Sequence, residues 1–438
     1  MPQAQPRRSD FSLRGHWRQF LEIVRMASDD RKNVTSFNRR ESRTKRFDTS
    51  NSVIVRHHRP DYKIVMFMVL LMLFGLVLIY AIGPRVNINN QTAFFVKQLI
   101  SLIVAVLSFV VASKVSLSSV RRLSFPILLF ALGVGLILFI SSIGPMRALN
   151  VAQCTYGACR WIRIGNSFTI QVAEIIKLAM IIFLATIWRY FSEHNRFNSL
   201  QNTVYSIIVI AIAILMIVVW QNDLGTGISL IFIVLAMLWM AGVKRILMFG
   251  LFIVLALAGG IAVALKPHRI ARVMTFLEGD NVAITDQNRH IVQAKIAIGS
   301  GGIFGLGIGN SIQATGYLPE AVNDSIFAII GEVFGFVGCV VIIGLFVGLI
   351  TCLLRGAALS HDVFNRLLMT GSGVWILAHF LINTTSMLGI APMTGITLPF
   401  LSFGGTSMIF LAAAVGLAFN ASRFTAHSVY LEKKEVKR

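Results

Sequence analysis

Acidic side chains are scarce along most of this 438-residue chain, so each one needs a physical reason. Ten lie between residues 64 and 430, and two of them fall in predicted cytoplasmic connections. The other eight are Glu174, Asp223, Glu278, Asp280, Asp286, Glu320, Asp324 and Glu332. An ionised group at hydrocarbon depth costs about 2.5–3.5 kcal/mol on insertion scales. These carboxylates are therefore the first candidates for chemistry.

Asp324 and Glu332 lie near the start of one predicted helix, which begins at about Ser325. Glu332 follows Asp324 by eight residues, which places both on nearly the same helix face at different depths. Partial removal from water makes a carboxylate a stronger base, which suits general-base catalysis. The simpler alternative for Asp324 is an N-cap of the helix.

Two further patterns place charge within or beside apolar segments. Glu174 and Lys177 are three residues apart, on one face of a predicted helix. They form either an internal ion pair or a polar cavity in which Lys177 meets an anion. Asp223 lies at the start of the sixth apolar segment. It is either an N-cap of that helix, or a polar contact or cation site at the cavity mouth.

Arginines on the predicted outer side provide candidate phosphate contacts, with interfacial anchoring as the alternative. They are Arg160, Arg163, Arg269 and Arg272. Residues 299–309 contain six glycines but lack the Gly-Lys-Ser/Thr ending of a phosphate-binding loop, so we predict a tightly turned loop. The sequence has no His/Cys cluster with metal-ligand spacing and no defensible Ser/His/Asp set.

Long apolar segments must position these side chains. The chain is 55% hydrophobic and only 13% charged, whereas soluble domains carry about 25% charged residues. A helix needs about 20 apolar residues to cross a bilayer. Ten segments qualify: 64–82, 94–112, 125–143, 172–188, 204–220, 225–242, 246–265, 325–354, 367–387 and 404–419. We predict an all-α polytopic membrane protein and exclude an ordinary soluble enzyme and a disordered protein.

Basic residues assign the sides of this predicted bundle. The net charge of +21 is concentrated in the termini and in alternate short connections, so the positive-inside rule places both termini in the cytoplasm. This distribution argues against nucleic-acid binding. We predict that residues 1–62 form a basic, mostly disordered tail with one short amphipathic helix near 11–26. Residues 63–423 are predicted to form the membrane domain, and residues 424–438 a second tail. The large outer loop, 266–323, joins helices 7 and 8.

Cysteine usage excludes a disulfide scaffold, because the chain has only four cysteines. Cys339 and Cys352 lie in one apolar segment and are predicted to be buried thiols. Cys154 and Cys159 share a predicted outer loop, and their pairing is left open at this point.

Five motifs in order resemble the SEDS family (shape, elongation, division and sporulation), the FtsW/RodA-type peptidoglycan glycosyltransferases. The resemblance covers residues 61–424, nearly the whole membrane region. The motifs are Gly157-Ala-Cys-Arg-Trp-Ile162, Gln171-Val-Ala-Glu-Ile-Ile-Lys-Leu178, Gln221-Asn-Asp-Leu-Gly-Thr226, Leu318-Pro-Glu-Ala321 with Asp324 and Ile329-Ile-Gly-Glu332, and Gly395-Ile-Thr-Leu-Pro-Phe-Leu-Ser-Phe-Gly-Gly-Thr-Ser407.

The resemblance implies polymerisation of lipid II into glycan strands on the outer face of the bacterial cytoplasmic membrane, with undecaprenyl pyrophosphate as the leaving group and inversion at the anomeric carbon. Asp324 matches the essential acidic residue of the family and is its implied general base. The implied substrate-binding residues are Glu174, Lys177, Arg160, Asp223, Arg272, Glu332 and Ser402. A divalent cation, Mg²⁺ or Mn²⁺, is compatible with this chemistry, but the sequence defines no ligands for it.

The resemblance also implies partners, namely a class B penicillin-binding protein and other division or elongation proteins. Ile308-Gly-Asn-Ser-Ile-Gln313 favours the division type over the elongation type. The chain departs from the family where Cys159, Val172 and Asn222 replace an Arg and two Pro residues, which puts an identical set of phosphate contacts in doubt. Two other classes stay open: a lipid II flippase, and a scaffold that acts through the basic tail.

Overall fold

The computed structural model describes residues 13–28, 59–86, 92–142, 152–155, 158–164, 168–194, 200–264, 266–278 and 289–424. Every one of the ten predicted apolar segments is helical within these ranges. The corresponding helices are α2 (Tyr62–Val86), α3 (Ala93–Lys114), α5 (Ser124–Ser142), α6 (Val172–Glu193), α7 (Leu200–Leu215), α8 (Leu224–Ala241), α9 (Arg245–Ala264), α12 (Ile326–Leu359), α13 (Val363–Met387) and α14 (Gly405–Ala421).

Length and composition support a multi-pass membrane protein. In the described part of the chain, eight helices are long and apolar enough to cross a membrane, and a ninth, Val204–Trp220, is shorter. The last five residues of that ninth helix form a π-helical turn, Met216–Trp220. Helix α6 has 22 residues, which is about 33 Å at 1.5 Å per residue, although it carries more charge. The number of ten spans and their orientation stay predictions.

Burial separates the central helices of the bundle from the peripheral ones. In α6, 17 of 22 residues are buried, and 83% of the most apolar part of α13 is buried. None of the most apolar part of α9 is buried, so this helix lies at the edge of the described structure. Because α6 and α13 are enclosed on nearly all sides, polar side chains on them must find partners inside the protein.

Shorter helices complete the described structure. Helix α1 (Leu13–Ser28) corresponds to the amphipathic helix predicted near residues 11–26, and buries Ile23 and Val24. Helix α4 (Leu117–Arg122) follows α3, and the predicted outer loop contains α10 (Pro267–Glu278) and α11 (Arg289–Ser300). Apart from residues 59–62, the rest of the tail that was predicted to be mostly disordered lies outside the described ranges, as do residues 425–438 of the second tail.

A small antiparallel sheet interrupts the otherwise helical fold, and it was not predicted. Its strands are β1 (Ala152–Thr155), β2 (Ala158–Ile164) and β3 (Phe168–Gln171), in the order β1-β2-β3. Cys154 and Cys159 face each other across β1 and β2 and form a disulfide, which settles the pairing that the sequence left open. Strands this short give a weak signal in a sequence dominated by apolar helices.

The glycine-rich segment 301–307 packs against a break in α12. Gly335, inside that helix, has φ 66° and ψ −160°, so the helical hydrogen-bond pattern stops there. The backbone of Phe336 donates to the Gly302 carbonyl, and the backbone of Gly307 donates to the Val333 carbonyl. A Cβ atom on Gly305 would lie 2.2 Å from the Val333 oxygen, so only glycine permits this approach. The predicted tight loop thus packs its backbone directly against the backbone of α12.

Candidate active site

Asp324 lies between the outer loop and the first turn of α12. It is a buried residue, 9% exposed, and Ser325 rather than Asp324 is the N-cap of the helix. The N-cap alternative for Asp324 is therefore wrong. The carboxylate faces the loop 388–404, because a Cβ atom on Gly395 would lie 3.6 Å from Asp324 Oδ2. The structure thus brings together two segments that are 71 residues apart in the sequence.

Hydrogen bonds from two directions hold the Asp324 segment in place. The Asn383 side-chain amide, on α13, donates to the main-chain oxygen of Asp324 at 2.6 Å and to that of Ile396 at 2.7 Å. The backbone of Phe403 donates to the Val322 oxygen at 2.8 Å. Asn383 is 2% exposed, so these bonds are shielded from water. The orientation of Asp324 is consequently tied to α13 and to the loop 388–404.

Glu174 and Lys177 form the predicted internal ion pair on α6. The Lys177 Nζ atom lies 2.8 Å from Glu174 Oε1, and the side chains of Lys177 and Glu174 are 0% and 2% exposed, respectively. The same ammonium lies 2.8 Å from His379 Nε2 and 4.6 Å from the centre of the Trp375 ring. Lys177 is therefore enclosed by an anion, a lone pair and an aromatic face, and in this conformation no solvent reaches it.

His379 joins this cluster through the same ring nitrogen. Trp375 Nε1 donates to His379 Nε2 at 3.2 Å, and Lys177 approaches that atom as a second donor. Because both neighbours are donors, Nε2 is the acceptor and the ring proton belongs on Nδ1. Trp375, His379 and Asn383 are spaced four residues apart on α13 and form one polar row from the buried ion pair to the Asp324 segment.

His379 was not predicted from the sequence. A signal was present, because it is the only one of nine histidines inside any of the ten apolar segments. Carboxylates and arginines stand out in an apolar helix because they carry charge, whereas a neutral imidazole that accepts from a lysine does not. Asn383 was missed for the same reason, since a neutral amide in a helix carries no penalty large enough to attract notice.

Asp223 and Arg160 join the small sheet to the start of α8. Asp223 Oδ1 accepts from the Thr226 backbone at 3.1 Å, which confirms the N-cap, and Oδ2 lies 3.4 Å from Gln171 Nε2 and 4.0 Å from Arg160 Nη1. Arg160 also donates to the main-chain oxygens of Gln221, at 3.2 Å, and Asn222, at 2.7 Å. Its side chain keeps 30% exposure, so it combines an anchoring role with access to solvent.

The other predicted residues that the structure describes form hydrogen bonds with neighbouring loops and carbonyl groups. Glu332, 1% exposed, accepts from Ser311 Oγ and from the backbones of Ile312 and Gln313, and so holds that loop on α12. Ser402 Oγ accepts from the Leu398 backbone at 2.8 Å.

Arg272 belongs to α10, but its side chain is outside the described part of the structure, as are Asp280 and Asp286. Arg269, 7% exposed, donates to carbonyl oxygens of Ala262 and Val218.

Among the described residues, no group of three or more His, Cys, Asp or Glu side chains could hold a metal ion. The carboxylates of Glu174, Asp223 and Glu332 are each bonded to protein donors instead. The described chain thus supplies a general-base candidate, Asp324, an accessible cation, Arg160, and a buried cation, Lys177.

Comparison with known proteins identifies the family of the chain. The family model of FtsW, RodA and SpoVE, described as "cell cycle protein", matches residues 62–427. The chain belongs to this family. The matched range begins with α2 and extends just beyond α14, so the family fold includes every element that positions the candidate site.

Relatives of this family share sequence along most of their length with the chain. A "probable peptidoglycan glycosyltransferase FtsW" of Trichlorobacter lovleyi is 31% identical over 367 residues, covering 83% of this chain and 93% of that protein. The stage V sporulation protein E of Bacillus subtilis is 31% identical over 373 residues, covering 84% and 98%. The matched relatives are therefore nearly full-length counterparts of the membrane domain.

Solved structures of the family show the same fold. The rod shape determining protein RodA of Thermus thermophilus superposes with a TM-score of 0.61 at 21% identity, covering 83% of this chain and 97% of that one. A chain from a solved structure of "a peptidoglycan synthase complex" superposes with a TM-score of 0.66 at 23% identity, covering 83% and 98%. At these identities the likeness concerns the fold.

Proposed function

We propose that this chain is a peptidoglycan glycosyltransferase of the FtsW type, which polymerises lipid II. The observation that carries the proposal is the placement of Asp324. It is a buried carboxylate at the start of α12, held by Asn383 and facing a loop of the matched family fold. Relatives named as peptidoglycan glycosyltransferases FtsW align with this chain over more than nine tenths of their length. These names support both the activity and a role in division.

In the proposed reaction, Asp324 removes the proton from the 4-hydroxyl of one GlcNAc as that oxygen attacks the anomeric carbon of a MurNAc pyrophosphate. The new glycosidic bond forms as the bond between this carbon and the pyrophosphate oxygen breaks, with inversion. Undecaprenyl pyrophosphate leaves with the electron pair. Arg160 is the accessible cation near this side of the fold and is proposed to offset the leaving charge, with Arg272 as a second candidate.

Lys177 supports this reaction differently from a direct phosphate contact. It is 0% exposed and is already paired with Glu174 and His379, so we assign it to the polar core beneath the site. A divalent cation, Mg²⁺ or Mn²⁺, would supply further neutralisation of the pyrophosphate. The described residues contain no three-ligand cluster for it, so the proposal attributes its binding mainly to the phosphates of the substrate.

The proposed setting is the bacterial cytoplasmic membrane, with Asp324 on the outer face. We propose a class B penicillin-binding protein as the partner that crosslinks the new strands, alongside other division proteins. Support for a partner comes from the fold match to a chain of a peptidoglycan synthase complex.

A lipid II polymerisation assay tests the proposal. Purified full-length protein with its class B partner is compared with the Asp324→Asn and Glu320→Gln variants. Both substitutions replace one carboxylate by an amide in the same loop, but Glu320 is exposed whereas Asp324 is buried. We expect strands from wild type and Glu320→Gln, and a loss of at least about 100-fold in Asp324→Asn, as for removal of a general base.

Two other results would redirect the assignment. Strands from a folded Asp324→Asn variant would retain the enzyme and move the base to Asp280 or Asp286. The absence of strands from wild type, with an active control polymerase in the same membranes, would overturn the polymerase proposal. Transfer of labelled lipid II between leaflets would then identify the flippase.

A further inference from the structure

A cavity of about 560 Å³ opens at the opposite end of the bundle from Asp324. It lies where α3, α6 and α14 end and α4 and α13 begin, and its lining includes the exposed Lys114 and the half-buried Arg423. Asp324 precedes the first residue of α12, whereas the cavity residue His361 follows the last residue of this 34-residue helix. The positive-inside pattern assigns this end to the cytoplasm.

The cavity lining carries a strong excess of positive charge. Four basic side chains line it, Lys114, Arg121, Arg189 and Arg423, against one carboxylate, Asp362. That carboxylate is shared by two of them, because its Oδ1 lies 3.3 Å from Arg189 Nε and its Oδ2 lies 4.0 Å from Arg121 Nη1. Arg189 is also paired with Glu193, whose Oε1 lies 2.8 Å from its Nε atom. Two carboxylates thus offset Arg121 and Arg189, and the positive excess of the cavity lies on Lys114 and Arg423.

The other two basic side chains are not neutralised by the described protein. Neither Lys114 nor Arg423 lies within 4.0 Å of a carboxylate oxygen of any described residue. The Arg423 Nε atom is buried and has no hydrogen-bond partner among the described atoms. A buried donor without a partner destabilises a folded protein, so an external acceptor at this position is stabilising.

A neutral polar group in the lining narrows the chemistry of the ligand. Asn365 is 4% exposed, and its side-chain oxygen is buried without a donor among the described residues. Arg423 and Lys114 can donate hydrogen bonds to a phosphate oxygen. The side-chain oxygen of Asn365 can accept a hydrogen bond from a hydroxyl group on the same ligand. The volume suits a small ligand or a lipid headgroup, since ligand pockets are typically about 300–1,000 Å³.

We propose that this cavity, the basic cavity, binds a phosphate ester that carries a hydroxyl group. Two sources share this chemistry: the headgroup of an anionic lipid in the cytoplasmic leaflet, and a soluble phosphorylated polyol. Anionic headgroups are attracted to basic pockets between membrane helices on this side. The site is separate from the proposed glycosyl transfer, since the length of α12 lies between them.

Binding is measured on the full-length protein in a detergent with a neutral headgroup. One arm adds phosphatidylglycerol or phosphatidylcholine with the same acyl chains and counts bound lipid by native mass spectrometry. The other arm adds glycerol 3-phosphate and records the melting temperature. The cavity variant is Lys114→Gln/Arg423→Gln. The control variant is Lys244→Gln/Arg355→Gln, which removes two exposed basic residues that do not line the cavity.

We expect wild type and the control variant to bind phosphatidylglycerol more tightly than phosphatidylcholine. The affinity of the cavity variant for phosphatidylglycerol is expected to be lower by at least about tenfold. That result identifies a lipid source. If instead glycerol 3-phosphate raises the melting temperature of wild type and control but not of the cavity variant, while both lipids bind alike, the source is soluble. Equal binding of all probes to the cavity and control variants would overturn the proposal.

A charge-retaining variant separates lost binding from lost folding. Lys114→Arg/Arg423→Lys keeps both positive charges and is expected to bind within about threefold of wild type, because the attraction is largely coulombic. Loss of binding in this variant at an unchanged melting temperature would contradict the assigned electrostatic origin.

Discussion

Asn383 donates a hydrogen bond from its side-chain amide to the main-chain oxygen of Asp324, at a distance of 2.6 Å. The same nitrogen donates to Ile396, so one side chain on α13 ties the candidate base to the loop that it faces. This contact to the backbone fixes the Asp324 segment without involving its carboxylate. Asn383 is accordingly a positioning residue.

Replacement of Asn383 tests this role. In Asn383→Ala, two buried carbonyl oxygens lose their donor, and each such loss costs about 1–3 kcal/mol. We expect kcat for strand synthesis to fall at least about tenfold, with a smaller change in KM, because the base is displaced while the substrate contacts stay. The control is Asn310→Ala, which removes an exposed amide bonded to Leu306.

A purely structural role for Asn383 predicts a different pattern. Activity per folded molecule would then equal that of wild type, and only the melting temperature would fall. The pH profile of kcat adds a second readout, since a displaced Asp324 changes its surroundings and shifts the acidic limb, whereas a loss of folded protein only scales the profile.

The buried ion pair makes a prediction about stability. Lys177→Met leaves the 2%-exposed Glu174 without its ammonium partner, and breaking a buried pair in this way costs about 3–5 kcal/mol. The double variant Glu174→Gln/Lys177→Met removes both charges and is expected to recover part of the melting temperature. Thermal unfolding in one detergent compares the two variants. An unchanged melting temperature in the single variant would refute the structural role of the pair.

The disulfide makes a prediction about the small sheet. Cys154 and Cys159 close a short loop directly beside Arg160, so their reduction loosens the strand that presents this cation. We expect a reductant to lower the free energy of unfolding of this region by about 2 kcal/mol on the chain-entropy account, and to lower activity. Cys154→Ser/Cys159→Ser should respond to the reductant no further. A reductant effect that persists in that variant would exclude this disulfide as its cause.

The break in α12 makes a prediction about two glycines of one helix. Gly335 has φ 66°, and a Cβ atom on it would lie 2.4 Å from the Gly305 nitrogen, so Gly335→Ala forces the loop off the helix. The matched control is Gly344→Ala, where no atom lies within 4 Å of the added Cβ. We expect a clear loss of melting temperature in the first variant and little change in the second. Equal stability of the two would show that the close packing is dispensable.

Physical constraints within the chain explain what was predictable. A membrane helix needs about 20 apolar residues whatever its neighbours are, so all ten helices could be located from local composition. Buried charge is costly anywhere in such a helix, which singled out Glu174, Lys177 and Glu332 without knowledge of the fold. The N-cap role of Asp223 was also readable, because its partner, Thr226, is three residues away.

Tertiary structure decided which polar groups meet, because hydrogen-bond partners distant in sequence leave no periodic signal. Only the fold brings His379 into contact with Lys177, which is 202 residues away in the sequence. In the same way it brings Asn383 to the main chain of Asp324, which is 59 residues away. It also directs the Glu332 carboxylate to the loop at 311–313, where it accepts three hydrogen bonds. Local composition determined that the chain is a helical membrane protein with a few costly charges, and packing between distant segments determined which protein groups each of these charges meets.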